Sequence, residues 1–188
     1  MDTTRVFAAV EIGEPARSIM GRLMRKLETR VDHVRWTPLD QFHLTLKFLG
    51  EVDNRQLPEI CQRLKSCAQA VSPFAVEVRG LGSFPEAKPP RVLWAGVEQG
   101  SDSLQSLNES LNQSFAEMGF AIEPRRFTPH LTLGRIGKGI DYELLAECIA
   151  ETTSKVETRF EVDELVLMSS ERERGRYAYQ SIEYAELA

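Results

Sequence analysis

The sequence predicts an α+β fold: antiparallel sheets with helices packed outside, built from one unit used twice. Three observations predict it. First, short segments recur at a constant offset of 87 residues. Phe7-Ala8-Ala9-Val10-Glu11 returns as Trp94-Ala95-Gly96-Val97-Glu98, His43-Leu44-Thr45-Leu46 as His130-Leu131-Thr132-Leu133, and Gly50 as Gly137. One repeated tetrapeptide is weak, but several pairs in one register mark a duplication. Second, the hydrophobic period in each half runs strand, helix, strand, helix, strand. Third, the connections are of hairpin scale, which favours antiparallel sheets over a doubly wound parallel one.

Each element follows in order. Residues 6–12 are β-rich and alternate. Residues 14–30 form a helix with Pro15 in its first turn and Ile19, Met20, Leu23, Met24 and Leu27 on one stripe. A strand over 42–49 precedes a helix whose stripe is Leu57, Ile60, Cys61, Leu64, Cys67, Ala68 and Val71, and a strand over 74–81 closes the unit. Gly80-Leu81-Gly82-Ser83-Phe84-Pro85 reads as a long connection. The second half opens with a strand over 92–98. A helix carrying Leu104, Leu107, Leu111, Phe115 and Met118 ends at Gly119, a residue suited to a helix C-terminus. A strand over 130–136, a helix over 142–149, a strand over 160–168 and a last strand over 177–187 complete it. A weaker third repeat sets Phe74-Ala75-Val76-Glu77-Val78 against Phe160-Glu161-Val162-Asp163-Glu164. The expected organisation is one domain over 1–188, made of two pseudo-repeat lobes of about 1–88 and 89–188 that meet near Pro89-Pro90.

Composition narrows the classes of function. With 188 residues, 42% hydrophobic and 27% charged, the chain is an ordinary globular domain. It can bury roughly 70% of its unfolded surface without a metal or disulfide. A formal charge of −5 disfavours a broad grip on duplex nucleic acid but permits a local basic site. The longest apolar runs are far short of a membrane span. Met1-Asp2-Thr3-Thr4 carries no basic or long apolar stretch, so no secretory signal is expected. The three cysteines have no Cys-x-x-Cys spacing and read as core thiols of a cytoplasmic protein.

The chemistry is carried by the repeated tetrapeptide. On a strand, residues two apart share a face, so His43 with Thr45, and His130 with Thr132, stand opposite the leucines between them. If the lobes close about a pseudo-twofold axis, the two imidazoles approach one point from opposite sides. That arrangement suits in-line displacement at phosphorus, with one imidazole removing a proton from water and the other protonating the departing ribose oxygen. The threonine hydroxyls can hydrogen-bond nonbridging oxygens. Strict alternation puts Lys47 on the His43 face and Arg135 on the wrong face, unless Gly134 permits a bulge that re-aims it. Arginine's planar fork then ranks Arg135 above Lys47 as phosphate clamp. Arg125 and Arg126 extend a basic surface upstream. His33 reads as surface or structural. Phe84 beside Pro85 reads as a packing plug, with stacking on a base as its second reading. No Gly-x-Ser-x-Gly, His-x-x-x-His or acidic cluster accompanies the motifs, so no cofactor or metal is expected.

His43-Leu44-Thr45-Leu46-Lys47-Phe48-Leu49-Gly50 and Phe127-Thr128-Pro129-His130-Leu131-Thr132-Leu133-Gly134-Arg135 resemble the paired His-x-Thr motifs of the two-histidine (2H) phosphoesterases. Among them the chain is most similar to RNA 2′,3′-cyclic phosphodiesterases, also called 2′-5′ RNA ligases. Arg5-Val6-Phe7, Arg35-Trp36, Gly80-Leu81-Gly82 and Pro90-Arg91-Val92-Leu93-Trp94 extend the likeness over nearly the whole chain. The resemblance implies a bilobal fold with both motifs in a central cleft. It implies hydrolysis of RNA ends bearing a 2′,3′-cyclic phosphate to 2′-phosphomonoesters, and the residues themselves point to no metal, no membrane and no obligate protein partner. His43 matches the proton donor and His130 the proton acceptor, while Thr45, Thr132 and Arg135 match phosphate contacts. Alternative activities on the same site are 2′-5′ ligation and small cyclic-nucleotide hydrolysis. RNA-end binding without catalysis would not require a paired acid and base. The stretch over 169–175 is more charged than the family's usual loop.

Overall fold

The computed structural model describes residues 2–85, 89–173 and 176–188. Nine strands are described: β1 (Thr3–Glu11), β2 (Val34–Trp36), β3 (His43–Asp53), β4 (Phe74–Phe84), β5 (Val92–Val97), β6 (His130–Ile136), β7 (Glu157–Val162), β8 (Glu164–Glu173) and β9 (Arg176–Glu186). Four helices accompany them: α1 (Ala16–Glu28), α2 (Leu57–Ala68), α3 (Ser101–Ala116) and α4 (Tyr142–Thr153). The strands form two antiparallel sheets, one in the order β3-β1-β8-β9 and the other β2-β6-β5-β4-β7. The fold is α+β.

Each helix forms where its apolar residues recur on one face. Met20, Met24 and Leu27 of α1 are buried at helical spacing, and Pro15 stands at its entry. Pro58 occupies the first turn of α2, where its missing N–H leaves no broken bond, and Ile60, Leu64, Cys67 and Ala68 face inward. Asp141 caps α4 by accepting from the Glu143 and Leu144 amides. Full burial of each large apolar side chain contributes about 1.5–3 kcal/mol. Their sum stabilises one continuous core between sheets and helices.

The two sheets are not the two halves of the repeat. The first takes β1 and β3 from the first half but β8 and β9 from the second; the other joins β2 and β4 to β5, β6 and β7. Helices follow suit, since α1 packs on β7 while α2 packs on β8 and β9. The expected lobes of 1–88 and 89–188 are therefore interleaved. β4 pairs with β5, the next strand in the chain, so the halves share one sheet, and β8 pairs with β1 in the other. Residues 86–88, within the expected boundary, lie outside the described residues, as do 174–175 of the charged stretch. The third repeat pair lies side by side in one sheet, with Phe74 opposite Val162 and Val76 opposite Phe160. Gly80 to Phe84 belongs to β4 rather than to a connection; a register shift between Val78 and Leu81, with Gly80 at φ +76°, lets the strand continue.

β1 is buried on both faces. Val6, Ala8 and Val10 join the main core, whereas Phe7 and Ala9 form a second small cluster with Val166, Met168 and Tyr179. That second cluster is the floor on which the first histidine rests.

Candidate active site

β3 and β6 lie against each other where the two sheets meet, and each begins with a histidine. Leu44, Leu46, Leu131 and Leu133 are buried in the core, which turns His43, Thr45, His130 and Thr132 to the other side. A cavity of about 630 Å³ opens there, lined among others by Arg5, His43, Thr45, Thr132, Arg135 and Tyr179; His130 is not among its lining residues.

The two imidazoles are held alike. His43 Nδ1 lies 2.8 Å from the Gln41 carbonyl oxygen, and His130 Nδ1 lies 2.8 Å from the Thr128 carbonyl oxygen. A carbonyl only accepts, so both Nδ1 atoms carry hydrogen and each neutral ring keeps its lone pair on Nε2. Aromatic rings fix the orientation. His43 packs 5.0 Å from Phe7 and edge-on, 5.1 Å, from Tyr179. His130 packs 5.1 Å from Phe84 and 6.3 Å from Trp94. Phe7 and Trp94 are repeat partners, so the duplication extends to the ring behind each histidine. Trp94 can lie where it does because residue 82 is glycine; a Cβ there would meet the indole at 2.3 Å.

Burial pushes both histidines below their ordinary pKa, and the carbonyl bonds to Gln41 and Thr128 partly oppose this. A positive charge on His130 further disfavours one on His43. The pair therefore takes up one proton more readily than two, which suits one acid and one base.

Both strands break register just after the threonine. Ala9 faces Thr45 but Ala8 faces Lys47, and Trp94 faces Thr132 but Leu93 faces Gly134. Each bulge places two successive residues on the core side and turns the next toward the cleft. In β6 the residue so turned is Arg135, which lines the cavity; Gly134 fits because a Cβ would meet Val34 at 2.7 Å. In β3 it is Phe48, 55% exposed and also lining the cavity. Lys47 is thereby corrected: it is 1% exposed on the far side of the strand, with Nζ 2.6 Å from the Ala121 carbonyl oxygen. It does not join the cleft.

Arg125 and Arg126 line a separate groove beside α3. The His33 carbonyl accepts from the Gly137 amide, a structural contact. Phe84 packs on Trp94 as a plug, yet it also braces His130. Sequence reasoning missed Arg5, Phe7, Trp36, Tyr177 and Tyr179 as cleft residues. Arg5 with Phe7, and Tyr177 with Tyr179, stand two apart on strands, which was the available signal. Burial raises the Tyr179 phenol, while Arg135 and Arg5 pull it back, so both cations stand near that ring. Among the described residues, no three His, Cys, Asp or Glu side chains converge as a metal group would. No described helix is long and apolar enough to cross a membrane.

Comparison with known proteins adds to this geometry. The family model described as the 2′-5′ RNA ligase superfamily matches residues 10–174. The chain is 34% identical over 167 residues to the RNA 2′,3′-cyclic phosphodiesterase of Methanothermobacter thermautotrophicus, covering 89% of this chain and 90% of that one. It is 36% identical over 132 residues to the enzyme of the same name from Thermotoga maritima, 70% of each chain. In structure it is similar to the protein TT0787 of Thermus thermophilus, with a TM-score of 0.82 and 25% identity over 97% of both chains.

Proposed function

The chain belongs to the 2′-5′ RNA ligase superfamily, and on that footing we propose that it hydrolyses terminal 2′,3′-cyclic phosphates of RNA to 2′-phosphomonoesters without a metal. The observation that carries this is the pair of imidazoles, each with Nδ1–H spent on a backbone carbonyl and Nε2 left for chemistry. In the reaction, water attacks phosphorus opposite the 3′ oxygen. His130 Nε2 takes the water's proton as the bond to phosphorus forms. The P–O3′ bond breaks, and His43 Nε2–H gives its proton to O3′. Thr45 and Thr132 hydroxyls and the Arg135 guanidinium hold the nonbridging oxygens and the charge that develops on them.

The substrate is an RNA end or short oligonucleotide. Phe48, Trp36 and Tyr177 offer flat faces along the cavity on which bases can stack. Arg5 and Arg135 supply positive charge locally on a chain of net charge −5, a footprint suited to an end rather than a long duplex. Three free cysteines fit a cytoplasmic setting.

A 2′,3′-cyclic-phosphate oligonucleotide incubated with EDTA tests the reading directly. Full turnover to a 2′-phosphate is expected. Activity that vanishes with EDTA and returns only with added divalent cation would refute it.

The histidine environments also predict a pH profile. A lowered pKa means that the protonated acid is lost at lower pH than for a free imidazole, and the neutral base survives to lower pH. The kcat/KM profile, which reports the free enzyme, should therefore peak below about 6.5. A bound phosphate anion favours imidazolium, so the kcat profile should lie at higher pH than that of kcat/KM. Two profiles that coincide above about pH 7 would contradict the assignment of these two groups.

A further inference from the structure

Lys47, although outside the cleft, bears on the two-histidine reading above, and its role rests on that reading. The carbonyls that orient the two histidines are themselves held differently. Gln41 lies in a 3₁₀ turn, Leu39–Gln41, closed by backbone bonds from Gln41 N to Pro38 O and from Phe42 N to Leu39 O. Thr128 lies in the segment between α3 and β6. From Ala121 to Pro129, among the described residues, no backbone-to-backbone hydrogen bond holds that segment. Its end is packed, with Phe127 against the main core and Pro129 buried, and groups of the β3 bulge fasten its start. Lys47 Nζ donates to Ala121 O at 2.6 Å and stands 3.8 Å from the Glu123 carboxylate, while the Phe48 amide donates to Glu123 Oε1 at 3.4 Å. From the other side, Asn108 Nδ2 donates to Leu46 O at 2.7 Å, and Asn112 Nδ2 to Asn108 Oδ1 at 3.2 Å.

We propose that Lys47 is a positioning residue for His130: its buried ammonium straps the 121–129 segment to β3, and so fixes the Thr128 carbonyl that orients the second imidazole. The burial of the charge supports this. A methionine would fill the same volume without desolvating a cation, whose burial already lowers the lysine's pKa. The charge is retained for what it holds. The strap is one-sided, because the repeat partner of Lys47 is Gly134, and Gln41 has its own turn. It also joins the strand of one histidine to the approach of the other, so the two sheets cannot shift independently at the cleft.

The test is Lys47→Met, with histidine titrations by NMR and steady-state kinetics on the cyclic-phosphate oligonucleotide. The groups facing His130 are the Thr128 carbonyl, Phe84, Trp94 and, by its charge, His43. Loosening the carbonyl removes support for the charged imidazole, so His130 should titrate at still lower pH, while His43, relieved of part of that neighbouring charge, should not fall with it. kcat should fall about tenfold with KM changed less than about twofold. Lys47→Gln, which keeps an N–H donor, should recover part of the loss. If Lys47→Met does not fold, Glu123→Gln carries the same comparison at smaller scale. A folded variant in which His130 titrates as in the wild type, or in which both histidines move equally, overturns the proposal. A wild-type protein inactive on the substrate would instead refute the functional reading, and the NMR comparison would still decide the strap.

Discussion

His43→Ala and His130→Ala are each expected to lower kcat by about 10²–10⁴-fold, the usual contribution of one general acid or base. The fold should survive both. His43 and His130 are only partly buried at the edge of the cleft, and neither belongs to the apolar core. Each ring makes one hydrogen bond and a few aromatic contacts, so truncation is worth about 1 kcal/mol of stability. Circular dichroism melts close to wild type, beside collapsed turnover, are the expected pair of results. Because acid and base act in one step, the double variant should be little worse than either single one. Near-normal turnover in either single variant would end the paired assignment.

A second large effect should separate the two roles. With a substrate whose bridging 3′ oxygen is sulfur, the leaving group needs little protonation, so loss of the acid should matter little. His43→Ala is expected to regain at least about 10²-fold of its deficit with this substrate, and His130→Ala none. The assignment rests on what surrounds each ring. Arg135 stands on the strand of His130, where its guanidinium can hold the phosphate oxygens and raise the acidity of a nearby attacking water. His43 is packed by Phe7 and Tyr179, and its burial disfavours imidazolium, so the bound phosphate anion is what supports the proton it gives up. Lys47 contributes nothing here, since its ammonium points to Ala121 on the far side of β3. Rescue of His130→Ala in place of His43→Ala would exchange the roles.

What was legible in the sequence depended on period. The two-residue period showed His43 with Thr45 and His130 with Thr132 opposite buried leucines, and the helical period showed Met20, Met24 and Leu27 on one face. Elements too short or too closely joined to display a period were not legible. β2 is three residues long, and a single residue, Asp163, separates β7 from β8, which read as one strand. The two bulges illustrate the same limit. Gly134 advertised one, and the re-aiming of Arg135 followed from it. Nothing in Leu46-Lys47-Phe48 advertised its twin, so strict alternation sent Lys47 to the wrong side and left Phe48 unremarked. The exchange of strands between halves was invisible because hydrophobic pattern tells which face of a strand is buried, not which neighbour it takes.

That exchange has a consequence for biogenesis. β1, the strand beneath His43, lies between β3 and β8, and β8 begins at Glu164 in a chain of 188 residues. As the chain leaves the ribosome, β1 and β3 can pair early, but the other edge of β1 stays open until almost all of these residues have been made. An unpaired edge beside Phe7 and Ala9 is a template for pairing with other chains. Pairings of such long separation also close slowly. Isolated expression of either half would therefore yield sheets with open edges, and half a cleft has no structure of its own to keep.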